Sequence, residues 1–280
     1  MRNLPVPGTN NKRKLTNIVR VKNNPYKKRL LRVRARVKAR YDEYNNHANL
    51  LENIDASSFI GVYSEALIKC YTSKTSELTD LRDELLYPNI EDFDECPFCG
   101  IGEPTTLDHY LPKEYFPEFS VFSKNLIPIC GVCNSNYKGS NWIDNGKRLF
   151  LHTYYDEFPD EHLFIASVTV VNKIVIDFSS ILVPSEPYFC DVFSNHFEKL
   201  CLNKRYKRKA SSEINRKRRS LERIYRRNDC ANDVANSLIE EARELEIQYS
   251  KNHWKPVLYR GLARSVNFCD AGFRKQVVAR

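Results

Sequence analysis

The sequence predicts an α+β protein that is mainly α-helical. A small metal-dependent module sits between two helical regions, and a β-hairpin follows it. Three observations lead there. Apolar residues recur at helical spacing through both ends of the 280-residue chain. Two Cys-x-x-Cys pairs bracket an irregular stretch near the middle. One segment after that stretch alternates as a strand pair does.

Residues 1–25 carry Pro5, Pro7, Gly8, several Asn and many cations, and read as an extended basic arm. From Pro25 a helical pattern begins, with Leu30, Val33, Val37, Tyr41, Tyr44 and Leu51 on one face. "SSFIGVYSEALIKCYTS" and "TSELTDLRDELLYP" read as two more helices. Thr75 or Ser76 caps the second, and Pro88 follows its end. Residues 163–171 and 174–179 read as strands joined by Asn172-Lys173. Two or three helices follow, the first bearing a basic run, and "NHWKPVLYRGLARSVNFCDAGF" reads as a last helix. The expected divisions are 1–25 (arm), 26–90 (helical), 91–150 (metal module), 151–185 (hairpin) and 186–280 (helical, with the basic run).

Composition limits the function classes. A 42% hydrophobic and 12% aromatic content is that of a core-forming chain. No apolar run is long enough to span a bilayer, and no apolar segment follows the basic N-terminus as a secretory signal would. A cytoplasmic location without membrane attachment is the expectation. Net charge is +9, unevenly spread. Residues 1–40 hold 14 Lys/Arg and no acid, and residues 203–227 hold 12 Lys/Arg against Glu213 and Glu222. Two cationic blocks on an acidic remainder point to a polyanion such as nucleic acid. A solvated helix face is the bland alternative.

Nine cysteines, an odd count, argue against a disulfide framework. Cys96/Cys99 and Cys130/Cys133 can close a tetrahedral four-thiolate zinc site. Such a site has no open coordination position, so it is structural and helps a core-poor module to fold. Cys70, Cys190, Cys201, Cys230 and Cys269 read as small packing groups.

A zinc knot alone needs none of the polar residues between the two pairs. Asp108 and Asn134 offer a carboxylate and an amide oxygen, the donors that Mg²⁺ or Mn²⁺ prefers. His109 can accept a proton from water near neutral pH, given an oxygen on its far nitrogen to set the tautomer. Lys138 or Lys113 could bind phosphate. His47, His152, His162, His196 and His253 stand singly and read as surface or packing groups.

Together, Cys96-x-x-Cys99, Leu107-Asp108-His109, Asn125-Leu126-x-Pro128-x-Cys130-x-x-Cys133-Asn134 and Lys138 resemble the HNH nuclease signature in its zinc-stabilised, ββα-metal form. The resemblance covers about 45 residues. It implies a hairpin carrying Asp108 and His109, a loop with Asn125, and a short helix from near Asn134. It also implies roles: His109 as general base, Asp108 and Asn134 as ligands of one divalent cation, Asn125 as brace of the loop. Many members have His where this chain has Asn134, which leaves the metal preference open. The flanking segments are similar to those of HNH effector subunits of bacterial anti-phage systems, the Septu type among them. That likeness implies an ATPase partner. DNA is the favoured substrate. RNA, transfer RNA included, stays an alternative because the catalytic groups do not sense a 2′-OH. A non-catalytic zinc-ribbon subunit for nucleic-acid binding or assembly is the other.

Overall fold

The computed structural model describes residues 1–88, 93–228 and 230–278. The protein is α+β and mainly helical, and its strands form small sheets. The chain divides into two compact units, Asn3–Glu157 and Phe158–Arg280 with Met1–Arg2. The metal module therefore shares one unit with the N-terminal helices. The expected division at 90/91 falls outside the described residues.

The first unit opens with α1 (Asn11–Arg20), α2 (Tyr26–Asn46), α3 (Gly61–Thr72) and α4 (Ser76–Leu86). An extended arm over 1–25 is not what forms. Residues 11–20 are helical, with the Asn10 side chain accepting from the Arg13 N–H at 3.0 Å as N-cap. Leu15, Ile18 and Val19 are buried at helical spacing, a period masked by the surrounding cations. The segment before α1 is held too: the Leu4 N–H donates to the Thr153 carbonyl at 2.8 Å. On α2 the apolar face is the one read from sequence, Leu30, Val33, Val37, Tyr41 and Tyr44. Leu51 lies beyond it, in a separate 3-10 turn (Leu51–Asn53). Asn45, Asn46 and His47 are weak helix formers and end α2 there.

Two short strands follow, β1 (Thr106–His109) and β2 (Leu126–Ile129), antiparallel with His109 opposite Leu126. The 16 residues between them form a loop packed against α2. Tyr41 stacks on Phe122 at 4.3 Å, and Tyr44 meets Phe119 edge-on at 4.9 Å. A helical segment, Val132–Lys138, comes directly after β2, and its widened last turn closes with Gly139 N–H on the Asn134 carbonyl. The short pair β3 (Ile143–Asp144) and β4 (Lys147–Arg148) leads to a buried ion pair, in which Arg148 grips Asp156 through two hydrogen bonds of 2.9 Å.

In the second unit, β5 (Phe164–Val170) and β6 (Ile174–Ser180) form the expected hairpin, with a third, parallel strand β7 (Val277–Val278) beside β6. The reversal takes in Val171 as well as Asn172-Lys173. The helices are α5 (Pro187–Lys199), α6 (Leu202–Asn228), α7 (Ala231–Tyr249), α8 (Trp254–Arg264) and the short α9 (Val266–Cys269). The basic run lies on the second of these, not the first, and the predicted last helix is two. Phe164 packs among Phe193, Phe197 and Tyr206. Gly261 lets α8 lie directly on β5, since a Cβ there would stand 2.4 Å from the Ala166 carbonyl oxygen. Among the described residues no helix is long and apolar enough to cross a membrane.

Candidate active site

Four thiols and a cleft lie side by side in the first unit. Cys96, Cys99, Cys130 and Cys133 are buried, and their sulfur atoms all lie within 4.8 Å of one another. A tetrahedral site with bonds of about 2.3 Å requires sulfurs roughly 3.8 Å apart, and Cys99 and Cys130 stand at 3.9 Å. The turns around the thiols suit a ligand role. Gly100, at φ 60°, donates its N–H to the Cys96 carbonyl at 2.7 Å, and the Cys133 N–H points at the Cys130 sulfur at 3.4 Å. The cluster is compatible with structural zinc.

The cleft, of about 450 Å³, is lined by Asp108, His109, Lys113, Glu114 and Asn134, with Tyr71 on one wall. Strand alternation would send Asp108 and His109 to opposite faces of β1. His109, however, is the last strand residue, and its ring is tied down beyond the strand end. Its Nε2 donates to the Ser120 carbonyl at 3.0 Å. A carbonyl only accepts, so Nε2 carries the proton, and Nδ1 keeps a lone pair with no partner among the described residues. Tyr71 meets the ring edge-on at 4.4 Å. Burial, and to a lesser degree the charges of Lys113 and Lys138, push the imidazole pKa down to about 4. The ring is thus neutral at pH 7. The near-neutral value assumed from sequence does not hold in this site without substrate, because the loop shields the ring from water.

Asn125 holds the loop that supplies Ser120. It is fully buried, and both ends of its amide bind the Leu111 backbone. Its own carbonyl accepts the Tyr110 N–H at 2.9 Å. Behind it, the His152 Nδ1 accepts from the Tyr154 N–H, so its Nε2 donates to the Tyr44 hydroxyl at 3.0 Å. That hydroxyl reaches the Asn125 Oδ1 at 3.3 Å. The bland reading of His152 thus becomes a specific one, a buried support for the loop.

Lys138 does not offer its charge to a substrate. Its side chain has no exposed surface, and its ammonium binds the Asp108 carboxylate at 2.9 Å and the His109 carbonyl at 3.0 Å. The physical reason is the widened turn at the end of the segment, which brings position 138 under β1. Asp108 is itself 3% exposed, and burial raises its pKa against the pull of Lys138. Lys113 lines the cleft, where it pairs with Glu114 at 2.7 Å. Asn134 donates its Nδ2 to Thr106 Oγ1 at 3.1 Å, which leaves Oδ1 as a free acceptor type.

Tyr71 and Glu114 are cleft residues that the sequence did not single out. Tyr71 belongs to α3, and only tertiary packing brings it to His109. Glu114 adjoins Lys113, and no motif marks it.

Protein ea31 of Escherichia phage lambda is 30% identical to this chain over 188 residues, 62% of the chain and 63% of that protein. The chain thus spans less than two thirds of the length of this relative. No family model and no solved structure matches the chain.

Proposed function

We propose that this chain is a metal-dependent nuclease of the HNH type, hydrolysing phosphodiester bonds of DNA. The observation that carries the reading is the fixed tautomer of His109. Its donor nitrogen is committed to the Ser120 carbonyl at 3.0 Å, which reserves Nδ1 as a base in a polar cleft. The order β1, β2, helical segment, with Asp108-His109 ending β1 and Asn134 on the segment, is the order the HNH resemblance implies.

The donor set suits a hard divalent cation. The Asp108 Oδ2 is buried with no hydrogen-bond partner, apart from its charge contact with Lys138, and the Asn134 amide oxygen lines the same cleft. Asp108 and Asn134 would hold Mg²⁺ or Mn²⁺, whose charge stabilises negative charge on the phosphate and the leaving oxygen. His109 Nδ1 accepts a proton from water as the water oxygen bonds to phosphorus and the bond from phosphorus to the leaving oxygen breaks. Its low pKa favours the free base before reaction, and the negative charge of an arriving phosphodiester raises its proton affinity. Lys113, at the mouth, attracts that phosphate. Zinc on the four thiols keeps β2 and the Asn134 segment in place, since Cys133 and Asn134 are neighbours in the chain.

The test uses purified full-length protein with supercoiled plasmid DNA and, separately, total RNA, with added Mg²⁺ or Mn²⁺. DNA nicking that requires the added metal and falls at least about 100-fold in His109→Ala is the expected result. Equal cutting by the variant, or no cutting of DNA, overturns the reading. Cleavage of RNA alone assigns the site to RNA instead.

A further inference from the structure

Helix α6 sorts the basic run of residues 203–227 into two sets. Its buried face is Tyr206, Ala210, Ile214, Leu221 and Tyr225. Some cations are consumed by the fold. Lys207 pairs with Asp177 at 2.6 Å and Lys217 with Glu241 at 2.7 Å. Arg205 donates to the Leu200 carbonyl at 3.3 Å and Arg218 to the Phe273 carbonyl at 3.1 Å. Arg216 and Arg226 are held along the helix by Glu213 and Glu222.

The second set is Lys204, Arg208, Lys209, Arg219, Arg223 and Arg227. All six are exposed, and none has an ion-pair partner among the described residues. At 100° per residue they fall within an arc of about 140°, facing away from the buried side, along about 35 Å of helix axis. Arg219 and Arg223, one turn apart, also border a cleft of about 720 Å³ with Phe273 and Arg274. Glu222, the acid in that cleft, is already paired with Arg274 at 2.7 Å and with Arg226, so the cleft is net cationic.

A solvated basic face is common on helices. Here the fold pairs Arg216 and Arg226, which also lie within the arc, with Glu213 and Glu222, and leaves six like charges beside them unpaired, a standing repulsion that a polyanion would relieve. We propose that this face of α6 binds the phosphate backbone of duplex DNA, with Arg219 and Arg223 as its anchor. The proposal rests on the nuclease reading and deepens it by naming how the substrate is held. Two features favour a duplex over a single strand. The face lies on one continuous helix of 27 residues, which suits a stiff rod. It also shows no exposed aromatic ring: Tyr206 and Tyr225 both point inward. Single-strand sites combine positive charge with stacking aromatics.

The test is fluorescence anisotropy of a labelled 30-base-pair DNA with the full-length His109→Ala protein, without added divalent cation, over a series of salt concentrations. Each phosphate contact contributes roughly 0.9 to the slope of log K against log salt for B-DNA. Adding Arg219→Gln and Arg223→Gln should lower that slope by up to about 2, while the thermal melt matches that of the parent. The paired control, Lys207→Gln with Lys217→Gln, lies outside the arc, removes the same net charge and should keep the slope within about 0.5 of the parent. An unchanged slope in the first variant, or an equal drop in both, overturns the proposal. Tighter binding of single-stranded DNA or duplex RNA of the same length overturns it as well. His109-dependent DNA cleavage with an unchanged slope removes this inference alone. A lowered slope without any cleavage removes the nuclease reading alone.

Discussion

The side-chain amide of Asn125 clasps the backbone of Leu111 at both polar groups: Oδ1 accepts the Leu111 N–H at 2.8 Å, and Nδ2 donates to the Leu111 carbonyl at 3.0 Å. The clasp closes the loop between β1 and β2 at its neck. It fixes where Ser120 presents its carbonyl to His109.

Asn125→Ala removes the clasp and leaves two buried backbone groups without partners. A loss of about 3 kcal/mol is expected, at 1–3 kcal/mol for each orphaned group. Asn125→Asp keeps one acceptor but sets a carboxylate oxygen against the Leu111 carbonyl, so it should not rescue. Urea unfolding of both variants measures this. Stability within 1 kcal/mol of the parent in either would show that the loop holds itself.

Lys138 and Asp108 form a pair shut away from water. Lys138→Met strands a buried carboxylate and should cost about 3–5 kcal/mol. The double variant Lys138→Met/Asp108→Asn removes both charges and should recover part of that loss. A double-mutant cycle by chemical denaturation reads the coupling. Additive effects would mean that the pair contributes nothing as a pair.

Removing zinc should unfold the turns that carry Cys96, Cys99, Cys130 and Cys133, because an ion on these four buried thiols would crosslink them. Metal analysis of the purified protein should find one zinc per chain, and Cys99→Ser should lose it together with a large drop in melting temperature. Full zinc occupancy in Cys99→Ser would refute the four-thiolate assignment.

Stability should fall as pH is lowered below about 6.5. Burial holds the His152 pKa well below its ordinary value, and that of His109 at about 4. Between the folded value and 6.5 the unfolded chain binds protons that the folded protein refuses, so acid favours unfolding there. For His109 this window runs from about 6.5 down to about 4. Each histidine adds at most about 1.4 kcal/mol per pH unit. His152→Gln should flatten the dependence of melting temperature on pH between 6.5 and 5. An unchanged profile would mean that His152 takes up its proton over the same pH range in the folded and unfolded protein.

Much of the candidate site was legible because its chemistry is local in the chain. Cys-x-x-Cys sets two thiols on one tight turn. Asp108-His109 end one strand, Asn134 adjoins Cys133, and the HNH resemblance implied that they share one site. Lys138 reads as a surface cation in any window, since its burial depends on a widened turn and on β1 passing over it. Tyr71 carried no signal at all. The α1 helix was missed because a basic composition hid a short apolar period.

By itself the sequence determined the mainly helical α+β class, the grouping of four cysteines, a hairpin over 163–179 and the apolar face of α2. These follow from spacing along one chain segment. The tertiary structure decided what spacing cannot carry: which nitrogen of His109 holds the proton, which lysine is buried against Asp108, and which cations of α6 stay unpaired. Protonation, burial and pairing are set by atoms that approach from distant segments, and only the folded chain brings those atoms within a few ångströms.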